Sequence, residues 1–498
     1  MEARARIPVG PPISNPLPSY WQTPKSPLAN VIEPEADAAT TPYTHAIIGS
    51  GISGTMIVYN ILKAQSDARV VMIEAREICS GATGRNGGHT KAASYRSYLS
   101  HVEEFGKEEA LKIARLEYAN IVETHRLAEE LGIACENEIC TTVDVIYDKE
   151  TFENGKQAIE ALRADATDEE KEPGEMAWYQ LYEGRGICEA DFQIPIGRKN
   201  ENPAVEEEEY PIGMIDYLAG RIHAYRFTTG VLKECVKMGL VLCTNTTVNA
   251  ILPSSNHADD STAPWTLQTS HNTIQAHDVI LATNGYTPYL LPSLQSAIIP
   301  MRGQITAQRP GPNSTLPSLL PNTYSFIYRN GYEYMVPRPL DDGGQHIIIG
   351  GGLGRLPESG ATEYGTVDDA SLNPTVSTYL HNTLTGYFGE ETWGESPSPS
   401  PSTPPRIAQE WTGIMGATTD GLPFVGAVPD MSGVWMSAGF NGHGMVLCLK
   451  SAEALVSMLL GQGKPAWFPA SFVVSEERLG RVRKRGFGGR RDMQSNDA

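Results

Sequence analysis

Residues 44–54 read THAIIGSGISG, and the next apolar run, VVMIEA at 70–75, places Glu74 twenty positions beyond the last of those glycines. The apolar stretch His45–Gly49 reads as a short strand, Ser53–Lys63 as a helix opening on small residues, and Val70–Glu74 as a second buried strand. Within Gly49-Ser50-Gly51-Ile52-Ser53-Gly54, the first glycine permits a tight strand-to-helix turn. The second lets the backbone approach a pyrophosphate, and the third lets the helix pack close to the strand. Free N–H groups and the positive end of the helix dipole then face the phosphates. Glu74, with Ala75 and Arg76 beside it, is placed for ribose hydroxyls. A lone GxGxxG is weak. Strand, helix, second strand and terminal acid together make a dinucleotide site.

Working outward, two segments favour FAD over NAD. Residues 79–89, CSGATGRNGGH, form a small, polar, glycine-dense loop. Its Ser80, Gly81, Ala82, Thr83, Arg85, Asn86, Gly87 and Gly88 let backbone run beside a second nucleotide half and an isoalloxazine ring. Farther on, DVILATNG (278–285) reads as a buried strand ending in Ala282-Thr283-Asn284-Gly285, a turn able to close over the same cofactor. Val248 falls in the strand-rich stretch before it. Each segment alone competes evenly with an ordinary loop or strand end; the ordered set does not. Near the other end, Gly439-Phe440-Asn441-Gly442-His443-Gly444-Met445 precedes a helix with apolar positions Leu447, Leu449, Leu455, Met458 and Leu459. A helix N-terminus aimed at the flavin N1–C2=O edge stabilises the anion formed when flavin accepts a hydride.

The totals agree with a large α/β enzyme. The chain has 498 residues, net charge −20 and 40% hydrophobic residues. Such a surplus of acid disfavours nucleic acid. No apolar run approaches the roughly 20 residues of a membrane helix, and the start lacks a secretory pattern, so no membrane partner and a cytoplasmic location are expected. Seven scattered cysteines and the lack of CxxC or HExxH point to a reducing compartment and to no metal site. Strands recur near 241–251, 265–282, 298–307, 324–337 and 346–352. The expected fold is α/β (α+β), a Rossmann-like FAD-binding domain interleaved with a mostly antiparallel β-sheet substrate domain. Expected boundaries are a Pro-rich arm at 1–43 docked through Tyr20 and Trp21, and an FAD domain at 44–100, 215–297 and 405–465. The substrate domain takes 101–214 and 298–404, with a solvated acidic insertion near 163–210. Residues 395–405 read as a flexible connector, and 466–498 as a tail whose basic end, 481–491, is disordered.

The chain resembles the D-amino-acid-oxidase-like (DAO) flavoproteins, and among them the branch of gamma-glutamylputrescine oxidoreductase and its fungal relatives. The resemblance rests on GSGISG with Glu74, SGATGRNGGH (80–89), RIHAYRFTTGVLKEC (221–235), DVILATNGYT (278–287), IIPMRGQ (298–304) and WTGIMGATTDGLPFVG through GFNGHGM (411–445). It adds Gly413, Asp420 and Gly421 to the expected cofactor set. It implies a fold like p-hydroxybenzoate hydroxylase, with the FAD ring between the domains. It also implies that a neutral primary or secondary amine gives hydride from its α-carbon to flavin N5. The imine hydrolyses, and oxygen or another acceptor reoxidises the flavin. Such chemistry asks for an apolar, aromatic pocket with few charges. Tyr328, Tyr332 and Tyr334 match the family's substrate-facing sheet, with plain sheet packing as the competing reading. His89, Arg302, Tyr332, Tyr334 and His443 are the expected catalytic set, an ion pair being the alternative for Arg302.

Departures narrow the substrate. Amino-acid oxidases of the family grip the substrate carboxylate with an arginine where this chain has Met415, so a simple α-amino acid is disfavoured unless Arg338 substitutes. The flavin-tethering cysteine is replaced near Gly413, and a tethering histidine by Arg85, which implies non-covalent FAD. The strand Ile347-Ile348-Ile349 lacks the lysine that promotes oxygen reduction, so the acceptor stays open. A flavin monooxygenase and a non-catalytic flavin-binding scaffold are the remaining alternatives.

Overall fold

A computed structural model describes residues 1–31, 41–183, 192–194, 197–254, 264–394 and 405–487. Two sheets carry the fold. In the first, strands Val434–Ala438, Thr273–Leu281, Tyr43–Ile48, Val70–Ile73 and Val241–Cys243 run parallel in that order. Ile47 lies at the centre, in register with Ile280 on one side and Met72 on the other. Both faces of these strands are covered, which explains their near-continuous apolar runs. Phe424–Ala427 closes one edge antiparallel to Val434–Ala438. Strands Val248–Pro253 and Trp265–Thr269 add an antiparallel flap to Thr273–Leu281. The helix Ile52–Ala64 packs against Cys448–Leu459 and Ala224–Lys237 over one apolar core.

The second sheet orders Ile407–Thr418, Ile298–Gln308, Gln345–Gly350, Gly331–Pro339, Thr323–Tyr328, Glu138–Ile146, Gly213–Arg221 and His89–Thr90. Every neighbouring pair on this path is antiparallel except Thr323–Tyr328 with Glu138–Ile146. The expected mixed architecture is therefore present, with its seams moved. Gly213–Arg221 and Ile407–Thr418 belong to the second sheet, because their ladders run with Glu138–Ile146 and Ile298–Gln308. The strand-rich stretches 265–282 and 324–337 each hold a hairpin of two antiparallel strands.

Two expectations for the periphery change. The acidic stretch beyond 163 is not merely solvated, because Met176, Ala177 and Tyr179 are buried in an aromatic cluster. The basic end is helical through Glu476–Arg485: Ser475 accepts the Arg478 N–H, acids open the first turn and bases close the last. Leu479 and Val482 bury its inner face. Residues 395–404 of the connector and 488–498 of the tail lie outside the described residues. Among the described residues no helix is long and apolar enough to cross a membrane.

Candidate active site

The glycine turn is built as tightly as its spacing requires. Gly49 sits at φ +107°, and a β-carbon there would lie 2.6 Å from the Ala282 carbonyl oxygen. On Gly54, a β-carbon would lie 2.0 Å from the Gly49 oxygen and 3.2 Å from the Ala282 β-carbon. The third glycine thus fits the helix to the strands and does not line the site. Glu74 is held in place: the Ser50 N–H (3.0 Å) and hydroxyl (2.6 Å) donate to one carboxylate oxygen, the Arg76 N–H to the other at 3.0 Å. The Cys79 N–H donates to the Ser50 hydroxyl at 2.8 Å, so the following loop hangs from the same turn. The Ile52 N–H donates to Thr83 Oγ1 at 3.0 Å.

One elongated cavity connects this turn to the second sheet. About 310 Å³ of it is open to the centre of a water-sized sphere, far above the roughly 10–15 Å³ that holds one water. Gly49-Ser50-Gly51-Ile52-Ser53, Glu74, Ala75 and Arg76 line one end, with Val248. Gly81-Ala82-Thr83, Arg85-Asn86-Gly87, Ala282-Thr283-Asn284, Gly413 and the turn Asn441-Gly442-His443-Gly444-Met445 line its length. His89, Lys91, Ser325, Tyr332 and Tyr334 stand at the second sheet. The late turn is anchored twice: Asn284 Oδ1 accepts the Gly439 and Phe440 N–H groups (3.0 and 3.2 Å), and Asn120 Nδ2 donates to the Met445 carbonyl at 3.0 Å. A short turn, Gly444–Val446, then leads into the helix Cys448–Leu459.

Several expected residues lie off the cavity. Arg302 turns to Glu363 (2.6 Å) and Asp368 (3.3 Å), so the ion-pair alternative describes it. Asp420 forms a buried pair with Arg478 at 2.9 Å, and Gly421 makes the turn behind it at φ +72°. Gly285 backs onto the second sheet, where a β-carbon would meet the Met415 oxygen at 2.3 Å. Gly88 and Gly439 are turn glycines (φ +73° and +76°) pressed against Trp21 and Thr418. The Ser80 carbonyl accepts from Arg85 Nε (2.8 Å) and Arg76 Nη2 (3.2 Å) instead of facing the cavity. Tyr328 donates to the buried Glu333 at 2.9 Å, outside the lining. Arg338 is no substitute clamp, since it pairs with Glu136 at 2.5 Å and stacks 4.6 Å from the Trp21 ring.

The electrostatics of the second-sheet end come from His89, His443, Lys91 and Arg96, whose guanidinium lies 4.5 Å from the Tyr332 ring centroid. His89 Nε2 is hydrogen-bonded to Thr323 Oγ1 at 2.7 Å, and burial, helped by the Lys91 charge, holds the imidazole well below its usual range. His89 is therefore neutral near pH 7. His443 Nδ1 is hydrogen-bonded to the Asn441 carbonyl at 2.9 Å. Lys91 is a functional candidate that the sequence reading missed. Its Nζ donates to the Asp144 carboxylate and to Ser325 Oγ (2.5 Å), and it lies 5.5 Å from the Tyr217 ring centroid. Asp144 is fully buried and also accepts the Tyr95 and Tyr217 hydroxyls at 2.8 Å each. Burial lowers the Lys91 pKa against the opposing pull of Asp144. Two donors of the ammonium are thus engaged, and an ammonium carries three.

The residues present fit a flavin dinucleotide: a backbone cradle that excludes β-carbons, one carboxylate at its end, and a channel reaching the aromatic wall of the second sheet. The family profile described as FAD dependent oxidoreductase (DAO) matches residues 45–458. The chain belongs to this family. A probable oxidoreductase OrdL of Rhizobium meliloti is 24% identical over 423 residues, 84% of this chain and 83% of that protein. A glycine oxidase of Pseudomonas putida is 24% identical over 216 residues, 43% of this chain and 49% of its own. The crystal structure of glycine oxidase from Geobacillus kaustophilus superposes with TM-score 0.63 at 20% identity, covering 88% of this chain and 99% of that one. L-proline dehydrogenase from P. horikoshii superposes with the same TM-score, 0.63, at 18% identity, covering 87% of this chain and 97% of that one. These likenesses carry the fold, and the family carries the cofactor: this DAO protein is an FAD-dependent oxidoreductase.

Proposed function

We propose that this DAO protein oxidises the C–N bond of a primary or secondary amine to an imine. The reading rests on one observation: the cavity that begins at the glycine turn ends against Tyr332, Tyr334 and His89, and among the described residues Glu74 at the opposite end is the only carboxylate that lines it. FAD supplies the two-electron acceptor for the hydride that leaves the amine's α-carbon. The chain's own residues orient and dehydrate the amine. Tyr332, with the Arg96 guanidinium 4.5 Å from its ring centroid, and Tyr334 supply aromatic wall, and the neutral His89 adds no charge. Asp144 is neutralised by Lys91 and does not line the cavity, so among the described residues no carboxylate faces this end to stabilise an ammonium, and the amine is kept in its unprotonated form. Lys91 directs its third N–H to an acceptor on the substrate. An amine is favoured over a simple α-amino acid because Met415 lines the cavity at the position of the family's carboxylate-gripping arginine.

FAD binding is read as non-covalent. Gly413 has no side chain to form a tether, and the Arg85 guanidinium is committed to the carbonyls of Ser80, Thr412 and Leu17 at 2.8–2.9 Å. Anaerobic mixing of the holoenzyme with a panel of primary and secondary amines tests the function: at least one should bleach the oxidised flavin absorbance within seconds. A flavin that no amine bleaches, but that NADPH reduces in the presence of an aromatic substrate, overturns the reading in favour of a monooxygenase.

A further inference from the structure

The family profile begins at residue 45, yet the cofactor cavity has a wall that precedes it. Pro12 is a lining residue. From there the arm crosses the site along its length. The Ile13 carbonyl accepts from Arg76 Nη1 at 3.3 Å, beside the Glu74 end. The Leu17 N–H donates to the Asp369 carbonyl and the Leu17 carbonyl accepts from Arg85 Nη2, both at 2.8 Å. Asp369 itself is wholly buried between Arg76 (3.0 Å) and Arg85 (3.6 Å). The next residues hold the loop that runs beside the ring end. Ser19 Oγ (2.7 Å) and Gln22 Nε2 (3.1 Å) both donate to the Gly84 carbonyl, and Trp21 Nε1 donates to the Asn86 carbonyl. Trp21 is fully buried, in a cluster with Cys79, Tyr225 and Trp411.

Two features make this more than a tail lying on a surface. Arg76 and Arg85 both line the cavity, and both use a donor to hold an arm carbonyl. The contact is also close: a β-carbon on Gly84 would stand 2.9 Å from Gln22 Nε2 and one on Gly88 2.8 Å from the Trp21 ring, beside nearer clashes with the Cys79 and Ile222 carbonyl oxygens at 2.1 and 2.6 Å. The arm and the 79–89 loop therefore pack directly on each other, and the loop lines the cavity.

We propose that residues 12–22 are an integral outer wall of the FAD site, so that FAD exchange requires the arm to lift and bound FAD holds the arm down. The arm acts on the cofactor through Arg76, Arg85 and the 84–87 backbone, which makes its residues positioning residues. This proposal rests on FAD binding alone and is independent of the amine reading.

Two measurements decide it. In the holoenzyme, the double variant Ser19→Ala/Gln22→Ala and a variant lacking residues 1–18 should release FAD at least tenfold faster than the parent, followed by the rise in flavin fluorescence on release. Phe388→Leu, in an aromatic cluster whose residues do not line the cavity, should lower the melting temperature while leaving the release rate within twofold. In the unaltered chain, tryptic cleavage after Arg6 and Lys25 should slow at least tenfold when FAD is bound relative to the FAD-free protein. Release rates within twofold of the parent in both arm variants, or arm cleavage equally fast with and without FAD, overturns the proposal. The proteolysis arm needs no variant, so a truncated chain that fails to fold leaves the question decidable.

Discussion

Gly87 faces the Tyr334 ring so closely that a β-carbon on it would lie 2.5 Å from Cε2 and 3.0 Å from Cδ2. On the other side, a β-carbon on Gly350 would lie 2.6 Å from the Tyr334 hydroxyl oxygen. The ring is thus set in a slot between the cofactor loop and the second sheet. Gly87→Ala should displace Tyr334 into the cavity. The expected outcome is a loss of ten- to a hundredfold in kcat/KM, the scale of a misplaced positioning group. Flavin content should fall less than twofold. Steady-state kinetics beside the flavin-to-protein absorbance ratio separate the two.

Glu74 accepts three hydrogen bonds from protein donors and has lone pairs to spare for ribose hydroxyls. Glu74→Gln keeps the shape but loses the charge that makes such bonds strong. The expected cost is about 1.5–3 kcal/mol of FAD affinity, or roughly ten- to a hundredfold in Kd. Titration of FAD-free protein with FAD, followed by flavin fluorescence, measures it. An unchanged Kd would remove Glu74 from the site.

The glycine turn was legible because its rules are local: strand, tight turn, helix and acid lie within thirty-odd residues and each obeys nearest-neighbour geometry. Arg302 and Asp420 were misread for the opposite reason. Their partners, Glu363 and Arg478, are 61 and 58 positions away, so nothing nearby distinguishes an ion pair from a substrate or cofactor contact. Lys91 escaped notice because Asp144, 53 positions on, is what brings a lysine into a buried wall. A signal was present, since Lys91 directly follows the glycine-dense loop. The long helix Lys107–Glu130 was not among the expected elements, although its buried positions Ala110, Ile113, Ala114, Glu117 and Ile121 recur at helical spacing. The seams between the sheets were not readable, because strand pairing joins residues hundreds of positions apart.

The Lys91–Asp144 pair should behave as a unit. Lys91→Met leaves a fully buried carboxylate with tyrosine hydroxyls and no cation, which typically costs about 3–5 kcal/mol. Lys91→Met/Asp144→Asn should recover most of that in chemical denaturation, because the uncompensated charge is gone. The double variant should nevertheless stay at least tenfold down in kcat/KM, since the third N–H donor is missing. Recovery of stability together with full activity would assign Lys91 to structure alone.

Glu117 gives the fold a pH dependence of unusual sign for a carboxylate. It sits on the helix Lys107–Glu130, 5% exposed, and accepts one hydrogen bond, from Ser94 Oγ at 2.5 Å. Burial raises its pKa from 4.5 to about 7, the Ser94 bond opposing only in part. Its folded value exceeds its unfolded value, so folding takes up a proton between the two. The stability it contributes is complete below about pH 4.5 and is lost as pH rises through about 7. A displacement of that size corresponds to roughly 3 kcal/mol. Glu117→Gln keeps an acceptor for Ser94 and carries no charge to bury. Its melting temperature should match the parent's near pH 4 and exceed it by several degrees at pH 8, the gap opening between those values. A constant gap across that range would mean that Glu117 enters the folded protein already ionised.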